Sequence, residues 1–162
     1  EKYDNEDIVL GPDDLVSMPR GEYIFPCKLV YRRRGSGNGG ERMKRLEEAE
    51  IEKLAVEIRE FLLEHDMWQD VDIYFNGKRF GCRNPEDGHY YYNDRDHLFV
   101  EENIRPETYF EYVNPNHILS MSFEGPVCEM LYYGMYPAIR KKFDAIFERY
   151  GLYYEFGNHW NF

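Results

Sequence analysis

The decapeptide VDIYFNGKRF, residues 71–80, constrains the fold more than any other stretch of this chain. Asn76-Gly77 offers two adjacent residues that tolerate positive φ, the requirement of a two-residue hairpin turn, and strand-forming residues flank it on both sides. Such a turn permits one register, with Ile73 opposite Phe80 and Tyr74 opposite Arg79, because a slip by one residue would send every side chain to the wrong face. Whatever else the chain builds, it is expected to contain an antiparallel sheet.

A second strong pattern precedes the hairpin. In ERMKRLEEAEIEKLAVEIREFLLEH, residues 41–65, Met43, Leu46, Ile51, Leu54, Ala55, Ile58, Phe61 and Leu62 fall on one stripe, while Glu48, Glu52, Lys53, Glu57, Glu60 and Glu64 lie largely opposite. This is the 3.6-residue period of an amphipathic helix with a solvated acidic face, and His65 ends it where a cation suits the helix dipole. Upstream, EYIFPCKLVYRR alternates with period two, so it reads as a strand; Pro26 removes a ladder donor and predicts a sheet edge or a bulge. Beyond the hairpin, HYYYN, HLFVE, TYFEYV and HILSMSF read as further strands, the last placing Leu119, Met121 and Phe123 on one face and Ser120 and Ser122 on the outer one. Pro126 suits the first turn of a short helix, and a second helix from about Pro137 presents Ile139, Phe143, Ile146 and Tyr150 before Gly151 caps it. LYYEF closes the chain as a strand.

This order predicts an α+β fold: an antiparallel sheet with the long helix and one or two C-terminal helices on one face, the ferredoxin-like skeleton with inserted strands being the favoured topology. With 162 residues, 43% of them hydrophobic, there is enough chain for one sizeable core. Residues 1–22 read as an irregular N-terminal arm, and 23–162 as one domain with a flexible loop at 35–40.

Charge is distributed unevenly. The net charge is −11, yet residues 23–45 carry seven bases against Glu41 alone, whereas residues 64–124 carry thirteen acids and five bases. Most of the surface should repel nucleic acid, so direct nucleic-acid binding is not expected. The apolar runs are far too short for a membrane helix, and the first residues lack a basic stretch followed by an apolar one, so neither membrane insertion nor secretion is expected. Cys27, Cys82 and Cys128 form no paired framework and no C-x-x-C, which fits a reducing, cytoplasmic compartment.

Four motifs have chemical readings. Gly35-x-Gly37-x-x-Gly40 has the spacing of a dinucleotide-binding turn, but arginines precede it, Glu41-Arg42 follows it, and the next strand ends at Asn76 rather than an acid, so no cofactor is expected. The loop instead presents Arg32, Arg33, Arg34 and Arg42 as a mobile basic clamp. His89, Asp94, Asp96 and His97 are candidate ligands of a divalent metal, and Asp96-His97 with Asn114 and His117 has the residue order of metal-dependent nucleases without the basic groove that a nuclease needs. Among the cysteines only Cys82, with His89 downstream, suggests a nucleophile and its base.

The function expected from these features is that of a soluble, non-catalytic binding module, an inhibitor or nucleic-acid mimic, that engages a basic protein partner. Its surface would comprise Tyr90, Tyr91, Tyr92, Asp94, Asp96, Glu107, Tyr109, Glu111 and Tyr112, tyrosine giving contact area at low entropic cost. Two alternatives stand beside it: a metal-dependent hydrolase or nuclease-like enzyme centred on His89, Asp94, Asp96 and His97, and a self-associating homo-oligomer in which the basic loop of one copy meets the acidic body of another.

Overall fold

A computed structural model describes residues 27–31, 45–105 and 117–156, the first stretch as backbone alone. Among the described residues six strands and three helices follow one another: β1 (Cys27–Tyr31), α1 (Glu48–Glu64), β2 (Val71–Phe75), β3 (Lys78–Gly81), β4 (Phe99–Glu102), β5 (Ser120–Phe123), α2 (Gly125–Leu131), α3 (Pro137–Arg149) and β6 (Leu152–Phe156). They make one sheet in the order β4-β3-β2-β5-β1-β6, with every neighbouring pair antiparallel. The chain is an α+β protein. β5 lies between β1 and β2, which α1 connects, and β1 lies between β5 and β6, which α2 and α3 connect. These are two split βαβ units, the ferredoxin-like arrangement, with β3 and β4 added beyond β2.

The hairpin forms as its turn chemistry requires. Asn76 and Gly77 have φ of 48° and 71°, and Ile73 pairs with Phe80 and Tyr74 with Arg79. Asn76 Nδ2 also donates to the Glu48 carbonyl at 2.8 Å, tying the turn to the start of α1.

One face of the sheet takes the helices. Val71, Ile73, Phe75, Phe80, Leu119, Met121, Phe123 and Leu152 join Leu54, Ala55, Ile58 and Leu62 of α1 and Phe143, Ile146 and Phe147 of α3 in a single buried cluster. Burying a side chain of this size contributes roughly 1.5–3 kcal/mol, so this layer is the main source of stability.

Three expectations need correction. Residues 45–47 are not helical and α1 begins at Glu48; Glu47 N–H donates to the Glu50 carboxylate at 2.9 Å, so a capping interaction starts the helix later than the apolar stripe suggests. β1 sits inside the sheet between β5 and β6, not at its edge; Pro26 itself lies outside the described residues. HYYYN forms no strand beyond one isolated bridge between Arg83 and Tyr90. The arm at 1–22, the loop at 35–40 and TYFEYV lie outside the described residues.

The face away from the helices is polar yet largely covered. Ser120 and Ser122 lie on this outer face, as expected, yet they and Tyr74 are buried. Register brings Glu101, Arg79, Tyr74 and Ser120 into one row and Gly81, Asp72 and Ser122 into the next. Arg79 pairs with Glu101 and approaches Asp72 at 4.0 Å, and Ser120 Oγ is 2.9 Å from His117 Nδ1. Gly81 leaves room for the Asp72 carboxylate, since a Cβ would stand 2.6 Å from Asp72 Oδ1 and force that side chain to shift.

Burial pushes the Asp72 carboxyl above its ordinary value, Asp70 adds to this, and Arg79 opposes it. The folded protein therefore holds this proton more tightly than the unfolded chain does. The stabilisation that results is complete below the unfolded value of about 4 and is lost as pH rises through the higher folded value. Asp72→Asn should abolish this slope. In urea titrations across that range, the variant should gain on the wild type as pH rises, and a constant difference between them would contradict the assignment.

Candidate functional site

Residues 82–98 connect β3 to β4 with no helix or strand of their own. A connection of that length inside a small domain is uncommon and is usually either disordered or functional. Here it is built, through hydrogen bonds that the sequence supplies locally. Asn84 Oδ1 accepts from Glu86 N–H at 2.9 Å and Asp87 Oδ1 from His89 N–H at 2.8 Å, the side-chain turns for which Asn and Asp are suited. Tyr91 N–H then returns to the Cys82 carbonyl at 2.7 Å, and Asn93 N–H reaches the Trp68 carbonyl at 2.8 Å. Asp94 closes the last bend, its Oδ1 accepting from the backbone of Asp96 at 2.8 Å and of His97 at 3.2 Å, while Oδ2 lies 2.8 Å from His97 Nδ1. The Asp96 N–H and the His97 ring hold the Asp94 carboxyl below its ordinary range.

Arg59 supports the loop from beneath. Although charged, it is only 6% exposed, and Nη2 donates to the carbonyls of Asp94, Arg95 and His97 at 3.2, 3.5 and 3.4 Å. Its guanidinium lies over the Trp68 ring, 5.6 Å from the centroid. Burial lowers its pKa, opposed by Glu60. Trp68 Nε1 and Arg59 Nε are buried with no hydrogen-bond partner among the described residues, so cation–π attraction rather than a hydrogen bond joins these two side chains. From the rim, Arg95 adds an ion pair to Glu60 at 2.9 Å.

The three consecutive tyrosines have different fates. Tyr90 and Tyr92 are exposed, at 47% and 42%, with ring centroids 5.5 Å apart, and Arg83 lies over Tyr90. Tyr92 donates to Asp70 Oδ1 at 2.6 Å, and burial with that bond pushes the phenol well above its ordinary range. Tyr91 turns inward, stacked on His97 at 4.3 Å, edge-on to His89 at 4.9 Å and against Phe99 at 5.3 Å. Around the outward pair, Glu86, Asp87 and Asp96 are exposed. Glu107, Tyr109, Glu111 and Tyr112, and the basic residues Arg32, Arg33, Arg34 and Arg42, lie outside the described residues.

The four metal-ligand candidates divide. Asp94 pairs with His97, while His89 packs on the ring of Tyr91, and among the described residues no three His, Cys, Asp or Glu side chains are placed to hold a metal ion. His117 is engaged with Ser120 on the sheet. Cys82 is a core residue whose thiol burial pushes up, the opposite of what a nucleophile needs. In an open groove between α1 and the end of α3, Glu57 already accepts from Arg149 and from the Tyr150 hydroxyl.

Reading the sequence missed Arg59, Trp68 and Asp70. Arg59 left one signal: it follows Ile58 inside the apolar stripe of α1, where a charge is costly unless it is paired. Compared with known proteins, the chain matches no family model, no curated protein and no solved structure. No helix among the described residues is long and apolar enough to cross a membrane.

Proposed function

We propose that this chain is a non-catalytic binding module, acting in a reducing, cytoplasmic setting, that engages a basic protein partner through the 82–98 loop as an inhibitor or nucleic-acid mimic. One observation carries the reading: a long irregular loop is held by Arg59 and its own Asx turns while Tyr90, Tyr92, Glu86 and Asp96 face solvent. Holding a loop rigid in advance removes the ordering cost that binding would otherwise incur. Outward tyrosines supply area, and carboxylates around them favour a cationic surface and repel an anionic one.

A library of arginine- and lysine-rich peptides displayed on beads tests it. Retained peptides should bind at least about tenfold more weakly to the Glu86→Lys, Asp96→Lys double variant, and weaken again at about 0.5 M salt, where screening shortens the reach of surface charge. Neither side chain caps a turn of the loop, so the fold should survive both changes. Absence of any retained peptide, or retention indifferent to both treatments, would overturn the proposal.

A further inference from the structure

The connection between α2 and α3 is an aromatic knuckle. Residues 132–138, YYGMYPA, are exposed without a break, with Tyr132, Tyr133, Met135 and Tyr136 at 52%, 63%, 46% and 42%. The backbone beneath them is fixed: Tyr132 N–H and Tyr133 N–H both reach the Cys128 carbonyl, Met135 N–H reaches that of Glu129 at 3.0 Å, and Arg140 Nη1 donates to the Leu131 carbonyl at 3.1 Å. Tyr136 has φ of 56°, a left-handed conformation that a bulky residue adopts only under constraint. Isolated apolar side chains on a surface need no explanation, whereas four large ones in succession do.

Charge narrows the choice of occupant. From Glu124 to Asp144 three acids, Glu124, Glu129 and Asp144, stand against three bases, Arg140, Lys141 and Lys142, so this stretch is neutral in a chain of net −11. A basic partner gains nothing there, whereas two copies of the chain, each of net charge −11, can meet at a neutral stretch without bringing like charges together at the contact.

We propose that the α2–α3 knuckle is a self-association site whose occupant is a second copy of this chain, knuckle packed on knuckle about a twofold axis. It is separate from the partner surface on the 82–98 loop, and each stands without the other. Four side chains of this size and exposure offer roughly 400 Å² per copy, about half of a standard interface, so the dimer is weak and concentration-dependent.

Sedimentation velocity on the full chain over a concentration series, at about 0.05 and 0.5 M salt, tests this. The wild type should pass from monomer to dimer, with the dimer tighter at high salt, because screening relieves repulsion between the acidic bodies. That sign is opposite to the one expected for docking of a basic partner. Tyr133→Ser combined with Met135→Ser should raise the dimer Kd at least about tenfold with an unchanged urea midpoint. Tyr136→Gly provides a second variant that relieves the left-handed backbone, and it should weaken the dimer while leaving the fold as stable or more so. A wild type that stays monomeric, a dimer that salt dissociates, or variants that associate as the wild type does would each overturn the proposal.

Discussion

Arg59→Ala should cost about 3 kcal/mol and loosen the 82–98 loop more than the sheet. Hydrogen bonds to a charged group contribute roughly 1.5–3 kcal/mol each, but the three carbonyls of Asp94, Arg95 and His97 share one nitrogen at 3.2 to 3.5 Å, so their contributions do not simply add. The Trp68 contact is lost as well. Arg59→Met keeps most of the apolar stem and separates packing from hydrogen bonding. Lysine should not rescue the loop, because a compact ammonium cannot fan out to three carbonyls while lying over an indole. Hydrogen exchange distinguishes the local effect from a global one: the amides of Tyr91, Asn93, Asp96 and His97 should lose protection by more than those of β2. Uniform loss across the domain, or none, would show that Arg59 does not hold the loop. If it does, Arg59 is a positioning residue for the proposed partner surface, and Arg59→Met should weaken peptide retention without touching a peptide.

Phe143→Ala should be the most damaging single truncation in the helix layer, at about 4 kcal/mol. Its ring is 1% exposed and lies 4.9 Å from Phe147, 5.7 Å from Phe61 and 5.9 Å from Tyr154. One side chain therefore joins α3 to α1 and to β6. Rigid aromatic neighbours collapse poorly into the space left behind, so the cavity term adds to the lost burial. For a domain of this size the thermal midpoint should fall by roughly 10 °C. A urea titration giving a loss below about 1 kcal/mol would mean that α3 is not docked through this ring.

Much of the architecture was legible because it depends on neighbours in sequence. Asn76-Gly77 selected its own turn and thereby the Ile73–Phe80 register; Pro126, Pro137 and Gly151 marked helix ends that the structure places at Gly125, Pro137 and Arg149. Where a competing local interaction existed, the periodic signal misled. The apolar stripe of the long helix runs back to Met43, but the capping interaction of Glu47 with Glu50 starts α1 at Glu48. HYYYN read as a strand, and Asx turns on Asn84 and Asp87 folded the segment into a loop instead. The candidate site was half legible: its position was visible in the clustering of tyrosines and acids, but not which tyrosines would face outward.

The sequence alone therefore determined the three helices, the hairpin and its register, the apolar faces and the charge imbalance, all consequences of turn chemistry and of spacing within one segment. Only the tertiary structure decided that β1 lies inside the sheet, that Ser120 and Ser122 are covered, that Tyr91 turns in while Tyr90 and Tyr92 turn out, and that Arg59 meets a loop 35 residues away. Those outcomes rest on pairings between distant segments, where the gain from joining a buried guanidinium to carbonyls, or a ring to a ring, exists only once the rest of the fold has brought them within reach.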